Sequence, residues 1–517
     1  MLAAALQQQE FDIVIIGGGA TGLGAALDAA ARGCSTLLVE QFDFGKGTSS
    51  RSTKLVHGGV RYLAQGNLKL VKEALRERGF LLKNAPALTS TQPFVVPVFG
   101  WWEKIYYTLG LMFYDLMSGK LSLGKTHYLN KKQTIQHLPS INPRKLKGGI
   151  LYYDGQFNDS ALCAALAVTA AAKGAVLLNY TKATGFIKEK GIITGVQLED
   201  TLHDASEHSS EHSMEQPLIR RQITVKAKAV INATGVFTDS VLNMDEDSHD
   251  VIVAPSQGIH LVIDPVFFPG KNALMIPKTD DGRVLFAVPW QNKVVLGTTD
   301  TPVDTIEVEP KPLGEEIEFI LEHFNRYTNA TVQRSDIKSV FVGLRPLVRA
   351  NENASTALLS RDHTLVVAPS RLVTITGGKW TTYRKMAEDA VNNALFVSKQ
   401  KDKGPCITRN LPIGNDAEKQ RMVQQLIAAQ PALAGLLHTA YAFTRADVVY
   451  AVRYEMAMTV EDFLARRIRL LFLDARAAVE AAPAVAEIMA AELQQSPSWA
   501  SEQVNLFNEL AQQYILA

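Results

Sequence analysis

Short apolar runs that end in glycine turns alternate with longer alanine-rich or amphipathic segments along most of the chain. Near the start, residues 13–16 predict a buried strand, residues 23–32 a helix and residues 36–39 a second strand. Together they span about 30 residues, the usual length of a parallel βαβ unit. The pattern therefore indicates an α/β fold.

The later segments predict a second layer and a helical C-terminal part. Several β-branched runs within residues 251–303 are separated by turn residues, which is typical of an antiparallel sheet. A charged linker with proline and glycine, residues 398–415, precedes a segment that we expect to be helical throughout up to residue 514. The other predicted elements are helices at 159–172, 314–328 and 377–388, and strands at 175–179, 192–198, 222–225, 229–235, 337–342 and 372–375.

The turn after the first strand has the glycine spacing of a dinucleotide-binding loop. Gly17 allows a tight turn, Gly19 lets the backbone approach a pyrophosphate, and Gly22 lets the helix pack closely on the strand. The N–H groups at the helix N-terminus attract phosphate. Glu40 ends the second strand, where a carboxylate can accept hydrogen bonds from ribose hydroxyls. These features predict adenine-dinucleotide binding; the alternative is a glycine-rich turn in an ordinary α/β domain.

Composition excludes several classes of protein. The 517 residues predict two to four domains with ample core, and the net charge of +1 implies no attraction to nucleic acid. Cys34, Cys163 and Cys406 are too far apart for a metal motif or a disulfide framework, so we expect a reducing compartment and no metal. The N-terminus lacks the basic residues of a secretory signal, and the apolar window at 11–31 is the nucleotide loop rather than a membrane span.

Several motifs occur in a fixed order between residues 11 and 388. They are IIGGGATGLG, TSSRSTKLVHGGVRYL, VINATG, GLRPL, SRDHTL and GGKWTTYRKMAE. On these motifs the chain resembles the FAD-dependent glycerol-3-phosphate dehydrogenase family. The resemblance implies a Rossmann-like FAD-binding domain of the glutathione-reductase or D-amino-acid-oxidase type. It also implies oxidation of sn-glycerol 3-phosphate to dihydroxyacetone phosphate, with electrons delivered to ubiquinone or menaquinone.

The predicted elements, together with the resemblance, suggest a domain division and a location. We expect a discontinuous FAD-binding domain at 11–90, 155–250 and 340–398, a substrate-binding cap at 91–154 and 251–339, and a C-terminal helical domain at 399–517. The expected location is peripheral or monotopic, on the cytoplasmic side of the inner cell membrane. A homodimer, covalent attachment of FAD and the role of the C-terminal part are left open.

Two loops supply the candidate cofactor contacts beyond the first turn. The polar, glycine-rich segment 45–59 suits a loop wrapped around a cofactor, although alone it could be a solvated loop. Residues 377–379 form a second strand–glycine–helix junction, whose N–H groups and lysine would stabilise a reduced flavin ring. The candidates here and at the end of the 229–235 strand are Thr48, Ser49, Ser50, Lys54, Gly58, Gly59, Ala233, Gly235, Gly378 and Lys379.

The reaction needs a proton acceptor and cations for a dianionic phosphate. Histidine is the natural base near neutral pH, and we favour His57 over His260, which could equally be a structural strand histidine. Arginine forks bind phosphate bidentately, but arginines taken singly are usually surface residues. The candidate cations are Arg61, Arg345, Arg361 and Lys379. His203, His208 and His212 lie in a polar segment that predicts a solvated loop rather than a metal site.

An aromatic, lysine-flanked segment at 93–132 suggests contact with a membrane surface. Residues 105–117 could form a helix with a broad apolar face that lies in a bilayer interface, or a buried core helix. The resemblance favours the interface.

Three other functions remain open. A glycerol-3-phosphate oxidase would pass electrons to oxygen and release hydrogen peroxide. An amine or amino-acid oxidase on the same fold would need only one arginine fork. A non-catalytic flavin-bound membrane scaffold would have no use for His57, Arg345 and Lys379.

Overall fold

The computed structural model describes residues 9–64, 66–202, 222–246, 250–349, 363–400 and 402–516. The strands in these ranges are β1 Glu10–Ile16, β2 Thr36–Val39, β3 Leu55–Val56, β4 Thr89–Val98, β5 His127–Asn130, β6 Gly148–Phe157, β7 Val176–Leu178, β8 Thr181–Glu189, β9 Ile192–Asp200, β10 Gln222–Asn232, β11 Val253–Ile263, β12 Ala273–Ile276, β13 Leu285–Trp290, β14 Lys293–Gly297, β15 Thr301–Pro302, β16 Ile337–Val348, β17 His363–Val367, β18 Leu372–Gly377, β19 Leu436–His438 and β20 Tyr441–Thr444.

The helices alternate with these strands and then dominate the C-terminal part. They are α1 Ala20–Ala31, α2 Val60–Ala64, α3 Leu68–Asn84, α4 Trp101–Ser118, α5 Lys131–His137, α6 Asp159–Ala172, α7 Thr238–Asp245, α8 Gly314–Tyr327, α9 Tyr383–Val397, α10 Asp416–Ala429, α11 Arg445–Glu455, α12 Leu470–Leu473, α13 Ala475–Leu493 and α14 Pro497–Gln512. Among the described residues, no helix has the length and apolar character needed to cross a bilayer.

The first sheet is parallel at its centre. Its strand order is β17-β18-β10-β1-β2-β7, and parallel pairs join β1 to both β2 and β10. Helices α1, α6 and α9 cover one face with a core of alanine, leucine and valine side chains. Gly24 lets α1 and α9 approach, because a Cβ there would lie 2.9 Å from a ring carbon of Tyr383. The predicted βαβ unit and α/β fold are confirmed.

Strand β10 differs from its prediction because it is one long strand. We expected separate strands at 222–225 and 229–235, but Gln222–Asn232 is continuous. Its first half alternates exposed and buried side chains and pairs antiparallel with β9, whereas its second half is buried and pairs parallel with β1. The change of burial pattern within one strand made it resemble two.

The second sheet covers the carboxyl ends of the first. Its order is β15-β11-β14-β13-β12-β4-β6-β3, with β16 also paired to β11. The pairs are antiparallel except β12 with β4, so the expected antiparallel sheet is mixed at one point. Strand β16 runs to Val348, beyond the predicted end at 342, and pairs Arg345 with Ser256 of β11. The GLRPL motif therefore lies on a strand rather than in a loop.

The C-terminal part is mainly helical, but the prediction of helix throughout is wrong at β19 and β20, which form a short hairpin. Residues Asp462–Arg467 form a π-helical turn. Phe463, Phe472 and neighbouring side chains share one core with Phe341 and Val262 of the second sheet. The division of the chain into three domains stays a prediction.

Candidate cofactor cavity and active site

A cavity of about 500 Å³ lies between the carboxyl ends of the parallel strands and the second sheet. Distant parts of the sequence meet in its wall. They include Gly17 and Gly19 of the first turn, residues 39–42 at the end of β2, residues 45–49 of the loop that follows, residues 233–237 after β10 and residues 375–380 at the end of β18.

The first glycine turn leaves room for a phosphate next to backbone. Gly17 has a φ of +108°, and a Cβ there would lie 2.7 Å from the carbonyl oxygen of Ala233. At Gly22 a Cβ would lie 1.8 Å from the carbonyl oxygen of Gly17, so α1 packs directly on the turn. Gly19 precedes α1, and a Cβ there would approach Ser49 Oγ to 3.1 Å. This cradle fits the pyrophosphate of a dinucleotide such as FAD.

Glu40 stands beside the cradle at the end of β2. Its Oε2 accepts a hydrogen bond from Gly18 N at 2.6 Å and its Oε1 accepts one from Phe42 N at 3.0 Å. Burial raises the pKa of the Glu40 carboxyl, and these two N–H groups partly oppose that rise. Each carboxylate oxygen has a second lone pair, with which it can accept from a ribose hydroxyl.

The loop after β2 is fixed to both layers. Ser49 Oγ accepts from Ala20 N at 2.9 Å, and Ser49 O accepts from the indole of Trp380 at 2.8 Å. Thr48 Oγ1 donates to Leu344 O of β16 at 2.6 Å. Thr48 and Ser49 therefore line the cavity, whereas Ser50 is buried behind it.

Lys54 was predicted to contact the cofactor, but it lies in the protein core instead. Its side chain is fully buried, and its ammonium lies 2.7 Å from Asp159 Oδ2 and 2.9 Å from Ser50 O. The ring centroid of Phe341 lies 4.9 Å from Nζ. Burial lowers the pKa of Lys54 to about 7 despite the charge of Asp159. The lysine is a core ion-pair partner and does not reach the cavity.

His57, Gly58 and Gly59 lie beside the cavity and are not in its wall. His57 N donates to Thr381 Oγ1 at 3.1 Å, and Gly58 N donates to Tyr114 Oη at 2.7 Å. A Cβ at Gly59, whose φ is +80°, would come within 3.1 Å of Lys379 Nζ. The structure thus brings the HGG motif next to Lys379.

Lys379 lies in the cavity wall at the end of β18. Its ammonium is 3.9 Å from the ring centroid of Tyr62. Gly378 also lines the cavity and has a φ of +70°. Arg61 lies on α2, but its side chain is outside the described residues, as are the whole of Arg361 and the three histidines at 203, 208 and 212.

Arg345 lies on β16 between Leu344 and Pro346, which line the cavity, but Arg345 itself is not in the cavity wall. Nη1 donates to Gln257 O and to Asp300 Oδ1, both at 3.1 Å. Nη2 donates to Thr299 O at 2.7 Å and to Thr298 Oγ1 at 3.2 Å. Its side chain is 19% exposed. The guanidinium is therefore oriented by partners before any substrate binds.

His260 is buried on β11. Its Nε2 lies 2.8 Å from Thr53 Oγ1, and its ring stacks on Phe341 at 4.8 Å between centroids. Burial lowers the pKa of His260 well below its usual value, and the charges of Lys54 and Arg345 lower it further.

Sequence reasoning missed several charged residues around the site. Arg51 lines the cavity, donates to Val342 O at 3.2 Å and pairs with Glu309 at 2.6 Å. Arg466 and Arg467 in the C-terminal part pair with the buried Asp43. Arg51 lies inside the motif TSSRSTKLVHGGVRYL, which marks the segment but not the ion pair with Glu309. For Arg466 and Arg467 the signal was the run RRIR, which looks like a solvated charged stretch in the sequence.

The glycine cradle, the carboxylate at the end of β2 and the roofed cavity define a FAD-dependent oxidoreductase. Residues 12–384 match the family described as FAD dependent oxidoreductase, and residues 417–502 match the C-terminal domain of alpha-glycerophosphate oxidase. The chain belongs to the FAD-dependent glycerol-3-phosphate dehydrogenase family, and its cofactor is FAD.

Individual relatives agree with this assignment. The mitochondrial glycerol-3-phosphate dehydrogenase of Homo sapiens is 40% identical, with 94% of this chain and 71% of the relative covered. That of Arabidopsis thaliana is 38% identical, with 95% and 84% covered. The solved glycerol-3-phosphate dehydrogenase of Bacillus halodurans, complexed with FAD, is 28% identical at a TM-score of 0.77, with 99% and 97% covered. The predicted family, fold class and cofactor are confirmed.

Proposed function

We propose that the protein oxidises sn-glycerol 3-phosphate to dihydroxyacetone phosphate by hydride transfer to FAD N5 and passes the electrons to a membrane quinone, ubiquinone or menaquinone. The observation that carries the proposal is the alignment of 94% of this chain with a relative named for this dehydrogenase reaction. When bound, FAD supplies the hydride acceptor. The chain must hold the phosphate, accept the hydroxyl proton and limit the access of water.

The phosphate would be held by Lys379 in the cavity wall and by arginines next to the cavity. Arg345 and Lys379 are the described candidates, and Arg61 and Arg361 are proposed with them. Asp300 neutralises Arg345 in the absence of substrate, so a phosphate would take over part of the fork from Asp300 and from Thr298 Oγ1. The main-chain carbonyls at 257 and 299 would keep the guanidinium oriented during that exchange.

His57 is the better of the two candidate bases. Its half-buried position next to Lys379 and the HGG backbone supports a role at the substrate. His260 is only 3% exposed, and its depressed pKa makes it a weak proton acceptor. The hydrogen bond with Thr53 and the stack on Phe341 support a structural role for His260.

The exposed face of α4 supports attachment to a membrane surface. Only Leu111, Tyr114 and Ser118 of this helix are buried. Its large exposed side chains are Trp101, Trp102, Ile105, Tyr106, Leu109, Met112, Phe113 and Leu116. An apolar, aromatic face of this size, with Lys104 beside it, fits the headgroup region of a bilayer and not water. We therefore propose a monotopic enzyme on the cytoplasmic side of the inner membrane, where an apolar quinone is within reach.

The second candidate is an oxidase that reduces oxygen. The match of residues 417–502 to the C-terminal domain of a glycerophosphate oxidase favours it. Turnover of glycerol 3-phosphate should be measured anaerobically with a soluble quinone analogue and, separately, in air with peroxide detection. Quinone reduction equal to dihydroxyacetone phosphate formed, with little peroxide in air, supports the dehydrogenase. Peroxide formed in step with product would replace it with the oxidase.

A further inference from the structure

The loop at residues 43–51, here called the cofactor loop, has an inner and an outer side. On the inner side, residues 45–49 and Arg51 line the cavity. On the outer side, the loop faces residues 461–469 of the C-terminal part, here called the C-terminal turn. The contacts between the two segments involve charged side chains, are buried or partly buried, and are distributed along the loop.

The first contact is a buried ion cluster at the start of the cofactor loop. Asp43 has no exposed surface, and Arg467 grips both of its oxygens, with Nη1–Oδ2 at 2.7 Å and Nη2–Oδ1 at 2.8 Å. Arg466 Nε donates to the same carboxylate. Burial would raise the pKa of Asp43, but Arg467 and Arg466 outweigh burial and hold it below its usual value. The carboxylate is therefore charged and fully engaged.

Two more contacts follow along the loop. Lys46, which lines the cavity, pairs with Glu461 at 2.8 Å, and Glu461 in turn accepts from Arg466 at 2.6 Å. Farther on, Ser50 O accepts from Arg469 Nη2 at 2.6 Å. Each contact restrains backbone on one side of the cavity wall.

The C-terminal turn itself stays out of the cavity. In the described part of the chain, none of residues 461–469 is in the cavity wall. A loop held in its binding conformation loses less conformational entropy when a ligand binds. We infer that Arg466, Arg467 and Arg469 are positioning residues for FAD, and that the C-terminal part serves to hold the cofactor loop closed on the dinucleotide.

The test compares two arginines of the C-terminal part that both fork onto a carboxylate. Arg467→Lys keeps the charge but loses the fork on Asp43. Arg453→Lys is the control, because Arg453 forks onto Glu492 at 2.6 Å and 2.8 Å within the C-terminal part itself. Flavin release is measured on diluted holoenzyme by the rise in free-FAD fluorescence, and thermal unfolding is measured with and without added FAD.

We expect Arg467→Lys to release FAD about tenfold faster or more, since a bidentate charge-assisted contact is lost. Arg453→Lys should release FAD at the parent rate.

A purely structural role for Arg467 would give a different result. Arg467→Lys would then unfold at a lower temperature but release FAD at the parent rate, which overturns the inference, as would equal acceleration by Arg453→Lys. If Arg467→Lys does not fold, the FAD release rate of Glu461→Gln is measured instead. Glu461 is 19% exposed and therefore tolerates loss of its charge better. Faster release from that variant supports the inference, and the parent rate overturns it.

Discussion

At the scale of single residues, the partners of a charged side chain decide its role more than its motif does. Lys54 and Lys379 both belong to motifs that carry the family resemblance, but Lys54 pairs with Asp159 in the core, whereas Lys379 lines the cavity. From the sequence alone, both lysines are predicted to contact the cofactor. Only the fold separates the core cation from the one at the site, because Asp159 is distant in sequence.

Replacing Lys54 with methionine should destabilise the fold. Breaking a buried ion pair from one side leaves Asp159 with only the more distant Arg469, at 3.6 Å, as its counter-charge, and such a loss costs about 3–5 kcal/mol. The matched control is Lys228→Met, whose ammonium pairs with Asp12 at 2.9 Å while 43% exposed, and we expect about 0–1 kcal/mol there. Urea unfolding of both variants measures the difference. Equal, small losses would show that Lys54 is not a core ion-pair partner.

Replacing Arg345 with lysine should weaken use of glycerol 3-phosphate. The lysine keeps the charge but loses the fork, and one charge-assisted hydrogen bond is worth about 1.5–3 kcal/mol. We expect kcat/KM to fall about ten- to a hundredfold. Activity on glycerol, which has no phosphate, should barely change, and the flavin spectrum should stay intact.

The control for Arg345 is Arg326→Lys, because Arg326 pairs with the exposed Asp280. It should leave kcat/KM unchanged for both substrates. If Arg345→Lys lowers activity on glycerol and on glycerol 3-phosphate equally, then Arg345 orients the flavin or the carbinol. Binding of the substrate phosphate would then be assigned to Arg61, Arg361 and Lys379.

At the scale of elements, hydrophobic periodicity predicts whether a segment is a helix or a strand, but it does not predict what the apolar face of that element packs against. The α4 sequence predicts a helix with a broad apolar face, and that pattern is the same for a core helix and for an interfacial one. The structure buries Tyr114, whose hydroxyl donates to Asp154 at 2.7 Å, and exposes Trp102 to 84%. The exposed side chains, rather than the pattern, make the membrane surface the better hypothesis.

Replacing Trp101, Trp102 and Phe113 with serine should move the protein from the membrane fraction to the soluble fraction. These side chains are exposed, so their loss removes membrane affinity without opening a core cavity. FAD content should be retained. The control is Leu111→Ser on the buried face, which should destabilise the protein instead. Aggregated, flavin-free protein after the triple substitution would mean that the exposed face is covered by protein.

At the scale of the whole molecule, the sequence predicted those parts of the site that depend on local chemistry. The glycine turn and Glu40 follow from one contiguous βαβ unit, and the structure places them side by side, with Gly18 N donating to Glu40 Oε2 at 2.6 Å. The contacts between Asp43 and Arg467 could not be predicted, because they join segments that are distant in sequence and look like separate solvated charges. The same is true of Arg51 and Glu309.

The C-terminal part should be required for a folded flavoprotein. A chain that ends at residue 398 would expose Phe341 and Val262, which share a core with Phe463 and Phe472. It would also remove the hydrogen bond from Val340 N to Tyr514 O at 2.9 Å and leave Asp43 buried without its arginines. Uncompensated buried charge and exposed core are both strongly destabilising. We therefore expect this chain to be aggregated or free of flavin, as measured by size-exclusion chromatography and flavin absorbance.

Co-expression of residues 399–517 as a second chain should restore soluble, yellow protein, because the interface can then re-form. If the shorter chain alone is soluble, binds FAD and unfolds cooperatively, residues 399–517 are an independent domain, and the shared core contributes little to the stability of the rest.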